Sequence, residues 1–219
     1  KHVYLKKKNK ILKIQNKALE LSMFLSLPAS VALLVGSEEI ISALFGYGSF
    51  DKEAVLNSSN ALYYFGLGLP AFALIKVFST FFFANNDTKT PFYISLISVI
   101  LNITISLYYF KSIGFIIIPI ATTISSWFNA IILFIYLKNK DLFKFNKIFF
   151  LKFLKIIFAS IIMGIFFKYL IIIFGNQLNY DYNFKSFYLV LSVLLGLTLY
   201  LLVSFFINAF NYKDLKLKY

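Results

Sequence analysis

Residues 81–95 read FFFANNDTKTPFYIS. Three phenylalanines run into six polar residues and a proline, and the chain then returns at once to apolar residues. Asn85, Asn86 and Asp87 can satisfy the last carbonyls of one helix and turn the chain, Thr88 or Thr90 can cap the next helix, and Pro91 suits its first turn. So short a polar break between long apolar runs reads as a tight connection between two membrane helices.

Working outward, the whole chain has the composition such an elbow needs. Of 219 residues, 60% are hydrophobic, 20% aromatic and only 14% charged, against about half apolar and about a quarter charged in soluble domains. Apolar runs of about twenty residues can cross a hydrocarbon layer about 30 Å thick as helices. Six such spans are expected, at about 17–45, 61–84, 91–110, 113–137, 148–174 and 186–210. The pieces between them, GYGSFDKEAVLNSSN, NNDTKT, KSIG, KNKDLFKFNK and GNQLNYDYNFK, carry turn and cap chemistry and read as loops. Spans of a β-barrel would alternate apolar and polar residues, whereas VALLV, FIIIPIA and LIIIFG are apolar in succession, so the expected fold is an all-α, polytopic membrane helix bundle.

Lysines set the expected orientation, because loops on the cytoplasmic side collect basic residues. They gather in a basic segment at 1–16, between spans four and five (Lys138, Lys140, Lys144, Lys147, Lys152, Lys155), and in a tail at 211–219. The intervening loops hold Glu38, Glu39, Asp51 and Glu53, then Lys111, then Asp181 and Lys185, and are poor in lysine. Both ends of the chain are therefore expected in the cytoplasm. The net charge of +13 alternates with membrane spans instead of forming one basic face with stacking aromatics, which argues for anionic lipid head groups and against nucleic acid as partner.

Catalysis is not expected. His2 is the sole histidine and cysteine is absent; no HExxH or phosphate-cradling GxxxxGK[ST] occurs, and GLGLPAF at 66–72 lies inside a span rather than at a strand–helix turn. No cofactor is implied. Those glycines and Pro70 would thin and bend a membrane helix, tolerable where neighbours satisfy the freed carbonyls. The chain opens without an initiator Met or a signal-peptide pattern, as a part of a larger protein would.

Polar groups at membrane depth are the functional candidates. Lys76 lies about two turns from the elbow and either snorkels to the interface or faces a water-filled cavity. Lys168, Glu38 and Glu39 fit the opposite surface. Asn102, Thr104 and Ser106 in one span, with Thr122, Thr123, Ser125, Ser126 and Asn129 in the next, either join helices or form a deeper site.

The stretch LPASVALLV…ALFGYGSFD…ALYYFGLGLPAFALIKVFSTFFFANNDTKTPFYIS…LNITISL resembles the lipid II flippase family, MurJ or MviN, of the multidrug/oligosaccharidyl-lipid/polysaccharide exporter superfamily. The residues that carry the resemblance are Leu27 and Pro28; Leu44, Phe45, Gly48 and Phe50; Gly66, Pro70, Phe72, Lys76 and Val77; and Ala84, Asp87, Thr88, Lys89, Thr90 and Pro91. Motif detail extends from 19 to 127; beyond that only the spans and lysine loops match.

The resemblance implies a two-lobed transporter of the bacterial inner membrane, of which these six helices form most of the second lobe, with the N-terminal lobe outside this chain. It would carry undecaprenyl-pyrophosphate-linked peptidoglycan precursor, lipid II, from the inner to the outer leaflet by alternating access, for cell wall biosynthesis. Lys76 and the elbow Asp87–Pro91 become transport and gate candidates, the elbow pairing with the other lobe when the inward side shuts. The last two spans would line a groove for the polyprenyl tail. Some family members bind a sodium ion at positions matching Asn102, Ser106, Ile118 and Thr122, with Ser106 standing where the family has an acidic ligand; sodium, proton and membrane-potential coupling all stand open. A flippase for another polyprenyl-linked glycan, a cation or drug antiporter, and a non-transporting membrane assembly subunit are the alternatives.

Overall fold

The computed structural model describes residues 2–144 and 146–209. The basic tail at 211–219 and the side chains of the basic opening up to Lys10, with that of Lys147, lie outside the described residues. Among these residues six helices follow one another: α1 (His2–Phe45), α2 (Lys52–Phe83), α3 (Lys89–Ile113), α4 (Ile117–Asn139), α5 (Lys147–Ile173) and α6 (Lys185–Phe206). No strand occurs among the described residues.

Among the described residues five helical stretches are long and apolar enough to cross a membrane, because 89–139 runs through both α3 and α4. The expected KSIG loop is absent. Lys111 to Ile113 stay in α3, and Gly114–Ile116 forms a single 3-10 turn, reversed at Gly114 with φ +76°. Only a residue without Cβ takes that conformation at little cost. The loop expected at 46–60 is likewise shorter, since α2 begins at Lys52, where the Asp51 carboxylate accepts from the Ala54 amide at 2.8 Å and caps the helix. The expected basic segment and first span run together without a break as far as Gly36, where α1 kinks before continuing to Phe45.

The helices pack as a row, α3–α4–α2–α1–α5–α6, with α1 and α2 central. Two prolines inside helices explain part of that order. Pro28 in α1 and Pro70 in α2 have no N–H to give the carbonyl four residues back. The carbonyl left by Pro28 is that of Phe24, and it accepts from the Tyr200 hydroxyl of α6 at 2.7 Å. Gly66 carries the carbonyl left by Pro70, and it accepts from the Ser30 hydroxyl of α1 at 2.6 Å. Each proline thus creates an acceptor that a neighbouring helix fills, which a membrane interior requires of any freed backbone group.

Close approach of α1 and α5 depends on glycine. A Cβ on Gly164 would lie 2.4 Å from Val31 Cγ1, and one on Gly36 would lie 2.6 Å from the Phe167 ring. Gly36 is also where α1 departs from helical geometry, at φ −126° and ψ 27°. A cluster of Leu19, Phe78, Phe81, Phe82, Leu133, Leu137 and Phe143 fills the elbow end of the bundle. Phe143, from the α4–α5 loop, stacks on Phe81 at 5.7 Å between centroids, so that loop is held into the core.

Candidate functional site

The elbow is built by its own backbone. The amides of Asn85 and Asp87 both reach the Phe82 carbonyl, at 2.9 and 3.1 Å, and the Asn85 side chain donates to the Phe81 carbonyl at 2.8 Å. Asn86 takes the left-handed conformation at φ +58°, which asparagine tolerates better than most residues. These are the carbonyl-satisfying roles that the composition suggests. Capping of α3 differs from expectation. Neither Thr88 nor Thr90 caps; Thr88 is already helical in backbone and makes no side-chain cap. The Asp87 carboxylate does so instead, accepting from the Thr90 amide at 3.0 Å and the Thr90 hydroxyl at 2.8 Å.

The same carboxylate accepts from Lys140 Nζ at 2.6 Å, and Lys140 also donates to the Thr90 hydroxyl at 3.2 Å. The Lys140 ammonium beside it, then the Thr90 amide and hydroxyl, hold the Asp87 carboxyl down to about 2. Asp87 therefore ties the α2–α3 elbow to the end of α4 within this one bundle. Lys89 is exposed and makes no ion pair with a described residue. Pro91, the third residue of α3, is buried within its first turn.

Lys76 sits on the exposed side of α2, two turns from the elbow, and makes neither a hydrogen bond nor an ion pair with a described residue. Thr80, one turn further and also exposed, bonds only its own helix, at the Val77 carbonyl.

The intramembrane polar residues form a seam between antiparallel α3 and α4. Asn102 Nδ2 donates to Thr122 Oγ1 at 3.0 Å and to Ser125 Oγ at 3.3 Å, and Asn129 Nδ2 reaches Ser95 Oγ at 3.4 Å. Thr123 and Trp127 turn the other way and donate to the Tyr64 and Leu67 carbonyls of α2, at 2.6 and 3.0 Å. Thr104 is exposed and bonds its own helix at the Ile100 carbonyl. Of the four positions matched to a sodium site, Asn102, Thr122 and Ile118 are joined by hydrogen bonds. Thr122 Oγ1 gives its proton to the Ile118 carbonyl at 2.8 Å while accepting from Asn102. Ser106 Oγ is buried without a partner. All four donors are neutral, and no cluster of three or more acidic or histidine ligands exists among the described residues. Hard cations are held by convergent oxygens that usually include carboxylate, and in this chain the matched positions supply none; Asn102, Thr122 and Ser125 join α3 to α4.

Sequence reasoning missed the roles of four charged groups. Lys140 is read there only as a topology signal. Glu20 of α1 and Lys152 of α5 form an ion pair at 2.5 Å, with side chains 10% and 20% exposed. A lone glutamate inside ALELSMFL was the available signal, since a carboxylate in an apolar helix calls for a partner. Lys185, 1% exposed, donates to the Gly46 and Tyr180 carbonyls, both at 2.6 Å, and lies 4.2 and 4.4 Å from the Tyr47 and Tyr180 ring centroids. It joins the α1–α2 turn to the α5–α6 loop by hydrogen bonds and cation–π attraction.

Motif, helix order and elbow geometry can be compared with known proteins. The profile of the family described as "Lipid II flippase MurJ" matches residues 1–194. The chain belongs to the MurJ family. A probable lipid II flippase MurJ of Rickettsia prowazekii is 32% identical over 194 residues, 89% of this chain and 37% of the relative. One of Rhizobium meliloti is 43% identical over 126 residues, 58% of this chain and 24% of the relative. A solved structure titled "Lipid II flippase MurJ, inward closed conformation" superposes with a TM-score of 0.73 at 27% identity, covering 94% of this chain and 40% of that one. The chain thus spans between about a quarter and two fifths of the MurJ proteins it matches. The relatives are named as lipid II flippases, and this chain is a multi-pass membrane segment of that family.

Proposed function

We propose that this chain is the C-terminal part of a lipid II flippase, most of the second lobe of a two-lobed protein that moves undecaprenyl-linked peptidoglycan precursor from the inner to the outer leaflet of the bacterial inner membrane. The observation that carries the reading is Lys76. It is an exposed, unpaired cation on a membrane helix, inside the family motif, on a face that nothing in this bundle covers. A sugar-pyrophosphate crossing hydrocarbon needs a wet, cationic cavity, and a desolvated lysine without a partner is costly elsewhere.

In this reading α3 and α4 are separate legs of 25 and 23 residues, each long enough to span, so six helices cross the membrane. The elbow end is cytoplasmic, as are both ends of the chain. This is supported by Lys17, Lys89, Lys138, Lys140, Lys144 and Lys155 at that end, whereas at the other Lys52, Lys111, Lys168 and Lys185 stand among Glu38, Glu39, Asp51, Glu53 and Asp181. Asp87 is engaged inside the lobe, so Lys89 is the elbow group free to meet the N-terminal lobe when the inward side shuts. The α5–α6 pair, at the edge of the row beside α1, suits the polyprenyl tail. No transport step is routed through sodium, since the matched positions in this chain supply only neutral donors.

The test is precursor translocation in a bacterium depleted of its own flippase and supplied with the full-length protein that contains this chain. Lipid II should become accessible outside, and Lys76→Met should abolish this at unchanged expression and insertion. Translocation untouched by Lys76→Met would leave Lys76 a snorkelling residue. No translocation from a well-inserted protein would refute the lipid II reading.

A further inference from the structure

At the end of the bundle opposite the elbow, α1, α2, α5 and the loop before α6 enclose an open cavity of about 350 Å³. One wall carries Glu38 and Glu39, with Ser42 one turn further along α1. Ser42 is 5% exposed and its hydroxyl has no hydrogen-bond partner, so a polar group lies in the wall unused. Buried hydroxyls are rarely left so.

The opposite wall is preformed. Tyr180 lines the cavity while its hydroxyl donates to the Phe50 carbonyl at 2.8 Å and its carbonyl accepts from Lys185. Lys52 at the rim is drawn to Asp181 at 2.9 Å, so its charge is already answered by a carboxylate other than the two glutamates. Lys168 of α5 is the opposing charge that acts on Glu39. Val55 and Leu178 supply apolar lining.

Charge and size narrow the occupant. The two glutamates outnumber Lys52, the one lysine of the lining, which is itself paired with Asp181, so the cavity favours a cation. The volume is about that of a dozen waters at ~30 Å³ each, roomy for a bare ion, and no cluster of three acidic or histidine ligands exists among the described residues to hold a metal. A primary ammonium has three donors to distribute and carries an apolar stem.

We propose that this cavity binds a primary ammonium group on a short aliphatic stem, with Glu38 and Glu39 accepting two of its N–H bonds, Ser42 accepting the third, and Val55 and Leu178 flanking the stem. Nothing in it depends on what the protein transports. Two sources share the chemistry, a free diamine and an ethanolamine lipid headgroup, and the test separates them.

The full-length protein, in nanodiscs free of amine-bearing lipid, is titrated with 1,5-diaminopentane by calorimetry; in parallel, its thermal stability is compared in discs with and without ethanolamine headgroups. Saturable diamine binding, weakened about tenfold or more by Glu38→Gln with Glu39→Gln, supports a soluble amine. Stabilisation by ethanolamine lipid that the same variant loses supports the headgroup. Ser42→Ala, which leaves the carboxylates in place, should weaken either response several-fold and carries the test where the double variant fails to fold. Absence of both responses, or an equal response to magnesium or tetramethylammonium, overturns the proposal.

Discussion

Asp87→Ala should loosen the elbow by an amount that can be built from its parts. The carboxylate caps α3 at the Thr90 amide, a contact worth about 1 kcal/mol. It also pairs with Lys140, whose side chain is 45% exposed, so that pair adds only about 0.5–1 kcal/mol. The alanine variant should therefore cost about 1.5–2 kcal/mol. Asp87→Asn keeps an acceptor for the Thr90 amide and should lose only the ionic part, about 0.5–1 kcal/mol. Lys140→Met should cost the same, and the two together should show a coupling of that size. The assay is reversible unfolding of the full-length protein in mixed detergent micelles.

Acid provides a second handle on the same clasp. The folded Asp87 carboxyl is held down to about 2 from an ordinary value of 3.8. Its contribution is complete above the unfolded value and is lost as pH falls from about 4 through about 2. The Asp87→Asn variant should lack that slope. Zero coupling between Asp87 and Lys140, or an unchanged slope in the variant, would refute the clasp.

Other expectations follow from single contacts. Tyr200→Phe and Ser30→Ala each strand a carbonyl freed by a proline, Phe24 and Gly66 respectively, and each should destabilise by about 1–2 kcal/mol in the same unfolding assay. Gly164→Ala drives a methyl to 2.4 Å from Val31 Cγ1 and should cost about 1–3 kcal/mol, largely recovered in the double variant with Val31→Ala. Lys185→Met leaves the Gly46 and Tyr180 carbonyls without their donor and should cost about 1–3 kcal/mol. It should also raise proteolysis in the 174–184 loop, measured by limited digestion.

Much of the architecture is legible in one dimension because it is local. An apolar run long enough to span declares a membrane helix whatever its neighbours are, and NNDTKTP declares a turn through the chemistry of its own residues. The family resemblance rests on the same contiguous stretches, and the comparisons show that family. Loop lengths are less legible. Local geometry at the helix ends decided them, as where Asp51 starts α2 nine residues early and where the reversal at Gly114 lets Lys111 to Ile113 stay in α3.

Pro28 and Pro70 are visible in the sequence as sources of freed carbonyls; that Tyr200 and Ser30 would answer them is not. Partners separated by 53, 132, 139 and 176 residues, Lys140 with Asp87, Lys152 with Glu20, Lys185 with Gly46 and Tyr200 with Phe24, meet only because the helices stack in a particular row. The sequence by itself determined which segments leave water, since transfer free energy is summed along a contiguous run. Tertiary packing alone decided which polar groups satisfy one another, since a hydrogen bond or ion pair is a matter of a few ångströms in space and carries no signature in spacing along the chain.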